Sequence, residues 1–138
     1  MRAYIQVHGL GKVFFSPIDV FLPSGSIVQP DIIFISSERL SIIQNRIEGI
    51  PDLCVEVVSP TGAERDRIVK RQLYAENGVR EYWIIDDESK SVEVLTLDGT
   101  DYAPAGYFLT REDNADTVRS VLLPEFALSC AQVFRDTL

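Results

Sequence analysis

The sequence predicts a mixed α/β domain, a mixed β-sheet flanked by helices, and three observations carry that reading. Short runs rich in β-branched and aromatic residues recur along the chain: DIIFIS, DLCVEVV, EYWIID and SVEVLTL. One helical stretch, bounded by Thr61 and Gly78, separates the second run from the third. The run Asp52–Val58 is apolar on both faces, as a central strand covered on two sides is. Strands before and after a single long helix give the order β-β-α-β-β, which suits a mixed sheet with helices against it.

The elements follow in order. Gly11 to Leu22 reads as two short strands about Ser16-Pro17, on the β preference of Phe14, Phe15, Val20 and Phe21. Pro23-Ser24-Gly25-Ser26 is a turn. Asp31 to Ser36 is a short apolar strand announced by Pro30, and Ser37 to Glu48 is a short helical or irregular connection that Gly49-Ile50-Pro51 breaks. After the Asp52–Val58 strand, Thr61 and Glu64 have the spacing of a capping box, and Gly78 suits a helix C-terminal stop. Ile68, Leu73 and Ala75 are its expected inward stripe. Glu81–Asp86 and Ser91–Leu97 form a hairpin about the polar turn Asp86–Lys90. Tyr102 to Leu109 adds a short strand, Arg111 to Asp116 a polar loop, and Phe126 to Phe134 a short closing helix. Nothing along the 138 residues marks a domain boundary, so 1–138 reads as a single domain.

Composition narrows the function classes. Hydrophobic residues at 46% and charged residues at 25% are the balance of a globular protein that carries a core. No apolar run reaches the roughly 18 residues that span a bilayer, and Gln6, His8 and Lys12 interrupt the N-terminal stretch where a secretory signal would be apolar. Cys54 and Cys130 form no CxxC, and His8 is the lone histidine, which argues against a zinc site and against a disulfide framework. The expectation is a reduced, cytoplasmic protein with no membrane partner. The net charge of −8 weighs against a nucleic-acid partner, since phosphate binding rests on Lys and Arg. A metal site collects acids, however, and a local basic strip survives an acidic total.

The acids are placed unevenly. Pro30-Asp31-Ile32 opens one strand and Pro51-Asp52-Leu53 another, and Asp after Pro at a strand mouth is also an ordinary turn arrangement. Glu56 is different. It shares a face with Cys54 and Val58 in the middle of the most buried strand, where an unpaired carboxylate is costly. It needs a metal, several donors, or a structural ion pair with an arginine. Asp52 lies on the same face but four residues back, about 13 Å along a strand. Two carboxylates cannot share one ion across that gap when Mg²⁺ holds oxygens at roughly 2.1 Å. A second ligand must come from a neighbouring strand, and Asp31 is the best placed. A hard-metal hydrolase also wants a positive group near the attacked phosphate. The helix offers Arg65, Arg67, Lys70 and Arg71, with Asp66 and Lys70 as i, i+4 neighbours; a solvated mixed-charge face is the plain alternative.

Four blocks together carry a resemblance: FFSPIDVFLPSGSIVQPDIIFIS, then PDLCVEVVSP, then RD-x-x-x-K, then Y-x-x-x-GV-x-EYW. From about Lys12 to Phe134 the chain resembles the Uma-two family of restriction endonuclease-like proteins, a branch of the PD-(D/E)XK nuclease superfamily. The resemblance implies a restriction-endonuclease-like core and acidic residues that bind Mg²⁺ or Mn²⁺. It implies DNA as the substrate and phosphodiester hydrolysis as the reaction. By position it assigns the PD aspartate to Asp31 and the second acid to Glu56. The superfamily lysine, two residues after that acid, is Val58 here; the resemblance points instead to Lys70 on the following helix.

The family pattern also implies a domain that starts roughly 50 residues earlier, with a leading helix bearing an acid and a helix bearing a histidine. On that comparison the chain reads as N-terminally shortened, Met1–His8 as the last turns of a helix, and the uncovered sheet as a surface for a homodimer or higher homo-oligomer. Two further readings stand beside the metal-dependent endonuclease. One is a catalytically inactive short member, kept as a dimerising or nucleic-acid-associated module. The other is an acidic α/β domain that binds a protein, with Glu56 in a structural ion pair.

Overall fold

The alternation of side chains along four successive strands builds two separate cores, one on each face of a single sheet. The structure is a computed structural model that describes residues 1–58, 63–110 and 115–135, without the side chains of 63–67 and 135. The elements are α1 (Arg2–His8), β1 (Gly11–Phe15), β2 (Val20–Phe21), β3 (Ile27–Val28), β4 (Ile32–Ser36), a 3₁₀ segment (Ser37–Ile42), β5 (Ile47–Glu48), β6 (Leu53–Val58), α2 (Ala63–Asn77), β7 (Glu81–Asp86), β8 (Ser91–Asp98), β9 (Asp101–Leu109), β10 (Thr117–Arg119), β11 (Ala127–Ser129) and α3 (Cys130–Arg135).

The main sheet has the order β1-β4-β6-β7-β8-β9. Only β6 and β7 are parallel, since α2 returns the chain between them; every other pair is antiparallel. Leu53, Val55, Trp83, Ile85, Val92 and Val94 point to one face, where α1 and α3 cover them. Cys54, Val58, Tyr82, Ile84 and Leu95 point to the other, against Tyr74 and Ala75 of α2. The mixed sheet with flanking helices is therefore the fold that the sequence predicts, and β6 is central and buried on both faces. No helix among the described residues is long and apolar enough to cross a membrane.

Local chemistry sets the joints. Gly11 has φ +148°, and a Cβ there would meet the Ile35 carbonyl oxygen of β4, so only glycine lets β1 begin against β4. α2 ends in a Schellman motif: Gly78, at φ +85°, donates its N–H to Ala75 and Val79 donates to Tyr74, while the Val79 side chain packs in the same core as Tyr74.

Two expectations are corrected. Ile68 is 62% exposed, whereas Leu73 and Ala75 do pack inward; the face they belong to also carries Lys70, Arg71 and Tyr74, so it is of mixed polarity. The strand expected over Tyr102 to Leu109 is present as β9, with a bulge at Ala105, since Val94 of β8 pairs with Gly106 and Leu95 with Pro104. The closing helix is shorter than Phe126–Phe134: Ala127–Ser129 form β11, paired with β10, and α3 begins at Cys130. The proposed capping box at Thr61 and Glu64, and most of the Arg111–Asp116 loop, lie outside the described residues.

Candidate functional site

The site is assembled by strand register. β4 and β6 pair antiparallel with Ile32 opposite Val55 and Ile33 opposite Cys54. One step further puts Asp31 opposite Glu56, with both side chains on the face that α2 covers. Asp31 is anchored to the neighbouring strand: its Oδ2 accepts the Val57 N–H at 2.7 Å. The two acids thus meet at one end of the sheet.

Glu56 is 2% exposed and both its oxygens are held from α2. The Tyr74 hydroxyl donates to Oε1 at 2.6 Å, and the Lys70 ammonium donates to Oε2 at 3.0 Å. Lys70 and Tyr74 are four residues apart, so one helix face presents both. Burial lifts the Glu56 carboxyl above the ordinary glutamate range and the Asp31 charge pushes the same way; the Tyr74 hydrogen bond and the Lys70 cation pull it back. Burial, with the neighbouring Glu56 carboxylate behind it, drives the Tyr74 phenol far upward, so it is always a donor. The Cys54 thiol, two residues before Glu56, is raised first by burial and then by Glu56, and remains a neutral S–H.

The structure brings Asp31, Glu56 and Lys70 together, and the cation on Glu56 is a lysine rather than an arginine. Arg71 turns away: it pairs with Asp101 at 3.2 Å and donates to the Tyr102 carbonyl at 2.8 Å, which ties α2 to β9. The side chains of Arg65, Asp66 and Arg67 lie outside the described residues. Asp52 serves elsewhere. Its Oδ2 accepts the Ser36 N–H at 2.7 Å and its Oδ1 faces Arg39 at 3.4 Å, so it pins the end of β4 and the 3₁₀ segment to the start of β6.

Tyr74 stands in the Y-x-x-x-GV block, but the sequence gives it no role; its signal is the i, i+4 spacing from Lys70 on a helix face of mixed polarity. Glu93 also shares the site face, since it pairs with Ile84, which pairs with Glu56. Two strand spacings, roughly 9.6 Å, make it too distant to share an ion with Glu56.

The donor set has a definite character. Among the described residues no group of three or more His, Cys, Asp or Glu could hold a metal. His8 packs on the Tyr4 ring within α1, and Cys54 and Cys130 are buried in opposite cores. That excludes a closed zinc site among those residues. Two opposed carboxylates fit a hard cation that completes its shell with water and substrate phosphate, which is the habit of Mg²⁺. The mutual repulsion visible at Glu56 is what such a cation would relieve.

The Uma2 family model, described as "Putative restriction endonuclease", matches residues 1–131. Among solved structures, the crystal structure of "a putative nuclease belonging to DUF820" from Anabaena variabilis superposes with a TM-score of 0.76. The two are 17% identical, and the match covers 99% of this chain and 75% of that one. At that identity the likeness is one of fold. No curated protein matches the chain.

Proposed function

The chain belongs to the Uma2 family, described as restriction endonuclease-like, and from that premise we propose that it is a metal-dependent endonuclease hydrolysing DNA phosphodiester bonds. Asp31 and Glu56 hold Mg²⁺ or Mn²⁺, and Lys70 assists. The observation that carries this reading is the opposition of Asp31 and Glu56 across β4 and β6, with the Lys70 ammonium against the second acid. A purely structural ion pair has one acid for one cation and gains nothing from a second carboxylate facing the first. Here the second carboxylate raises the cost of the first.

Each side chain has a distinct task. Asp31, fixed by the Val57 N–H, offers its remaining lone pairs to a cation. Glu56, held at Oε1 by Tyr74, offers Oε2. A bound divalent ion would supply a water of lowered pKa and a positive charge to offset the negative charge of the transition state. Lys70, with its side chain 37% exposed, is long enough to leave Glu56 for a phosphate oxygen at the same strand end, where it offsets developing negative charge. The total charge of −8 leaves little general attraction for DNA, so substrate binding rests on Lys70 and on the ion.

The test is direct. Purified protein with Mg²⁺ or Mn²⁺ should nick plasmid DNA, and Glu56→Ala should not. Equal residual nicking by both proteins would reject the reading.

A further inference from the structure

The two oxygens of Glu56 are held by donors of opposite character. Oε1 is bonded to the hydroxyl of Tyr74, a fully buried residue. Its ring sits edge-on to Tyr82 with centroids 5.1 Å apart, and Tyr82 in turn lies 5.8 Å from the Tyr102 ring. Tyr102 donates its own hydroxyl to the Val79 carbonyl at 2.6 Å, and the Tyr74 carbonyl closes the Schellman motif at the end of α2. The phenol is therefore fixed at its ring, its backbone and its hydroxyl. Oε2 is bonded to Lys70, whose side chain is 37% exposed and has a flexible four-carbon stem.

A divalent cation shared by Asp31 and Glu56 needs an oxygen of Glu56 that the protein can release. The Tyr74 hydroxyl has nowhere to go, whereas the Lys70 ammonium has solvent. From this asymmetry, and resting on the metal-site reading above, we propose that Tyr74 is a positioning residue for Glu56. It fixes the carboxylate so that Oε2 alone is exchangeable, and Lys70 is the resident cation that a divalent ion displaces. Tyr74 touches neither metal nor substrate in this scheme; it acts through Glu56. Displacement also frees the ammonium at the place where a substrate phosphate would arrive, which links metal loading to the readiness of Lys70.

The experiment is calorimetric titration of MnCl₂ into the full chain at pH 8, without DNA, for wild type, Tyr74→Phe and Lys70→Met, each with a far-ultraviolet circular dichroism melt. Tyr74→Phe retains the ring and should bind Mn²⁺ roughly tenfold to a hundredfold more weakly, the usual effect of losing a partner that orients a ligand. Lys70→Met, on the exposed side of the pair, retains the stem and should bind roughly tenfold more tightly, because both competition and like-charge repulsion are gone. A Tyr74→Phe protein that melts cooperatively and binds as wild type does would overturn the positioning role while leaving the metal site in place. Weaker binding by Lys70→Met would overturn the displacement. Absence of Mn²⁺ binding by all three proteins would remove the metal-site reading itself, and the inference with it.

Discussion

Asp31 and Glu56 face each other across two antiparallel strands, one residue beyond the Ile32–Val55 pair, and Asp31 is tied to the strand of Glu56 through the Val57 N–H. Their separation is thus a property of the sheet register and not of flexible side chains. A one-residue slip between β4 and β6 would move one acid to the opposite face. Side-chain bonds at both ends of the pair hold that register: Asp31 accepts the Val57 N–H, and Asp52 accepts the Ser36 N–H.

On the proposed function the two acids hold one ion, so Asp31→Asn and Glu56→Gln should each reduce Mg²⁺-dependent nicking by roughly a hundredfold or more, and the double variant should lose little further activity. Nicking rates measured at saturating Mg²⁺ check this. Multiplicative losses would mean that the two carboxylates act independently.

The raised Glu56 carboxyl has a signed consequence for the metal-free protein. Its folded value lies above its unfolded value, so folding favours the protonated form. The stabilising contribution is complete below the unfolded value, about 4.3 for glutamate, and is lost as pH rises through the folded value. Urea midpoints of wild type and Glu56→Gln should therefore converge toward acid, with wild type falling behind as pH rises through that window. A difference that is constant from pH 4 to pH 8 would contradict the direction.

How much of this was legible beforehand depended on what each residue touches. Both signals at β6 are local: apolar residues on both faces mark a central strand, and the period of two puts Glu56, Cys54 and Val58 on one face. Asp31 followed by elimination, since Asp52 lies too far along the same strand. The role of Tyr74 was not legible because it depends on α2 crossing over Glu56, a tertiary fact, and because a tyrosine one turn from a lysine disguises an inward face. Glu81 was hidden for a similar reason: its partners come from a segment some 40 residues later.

Asp52 and Asp31 have the same Pro-Asp context but opposite fates, and substitution should separate them. Asp52→Ala strands the Ser36 N–H and loosens Arg39, so it should cost about 1–3 kcal/mol in urea unfolding. Its Mn²⁺ affinity per folded molecule should equal that of wild type. Asp31→Ala should do the reverse, abolishing Mn²⁺ binding with a smaller loss of stability.

Glu81 should be the most structurally demanding acid in the chain. It is 1% exposed and lies on the face opposite Glu56. Its Oε1 accepts the Val121 and Leu122 N–H groups at 2.8 and 2.9 Å, and its Oε2 accepts Trp83 Nε1 at 2.8 Å and the Ser120 hydroxyl at 2.5 Å. Ser120 in turn accepts the Leu123 N–H, so one carboxylate gathers the segment that carries Leu123 and Phe126 into the core. Glu81→Ala leaves several of these donors without partners at once, at about 1–3 kcal/mol for a buried one. Because such losses are not additive among neighbours, a total of about 3–5 kcal/mol is expected. Glu81→Gln retains the acceptor oxygen but turns an amide toward the donors on the other side, and should recover only part of the loss. Urea unfolding followed by Trp83 fluorescence reads both variants, since the indole is bonded to the carboxylate being changed. A loss below about 0.5 kcal/mol for Glu81→Ala, the range of ordinary surface substitutions, would show that the 120–123 segment is held by its apolar contacts alone.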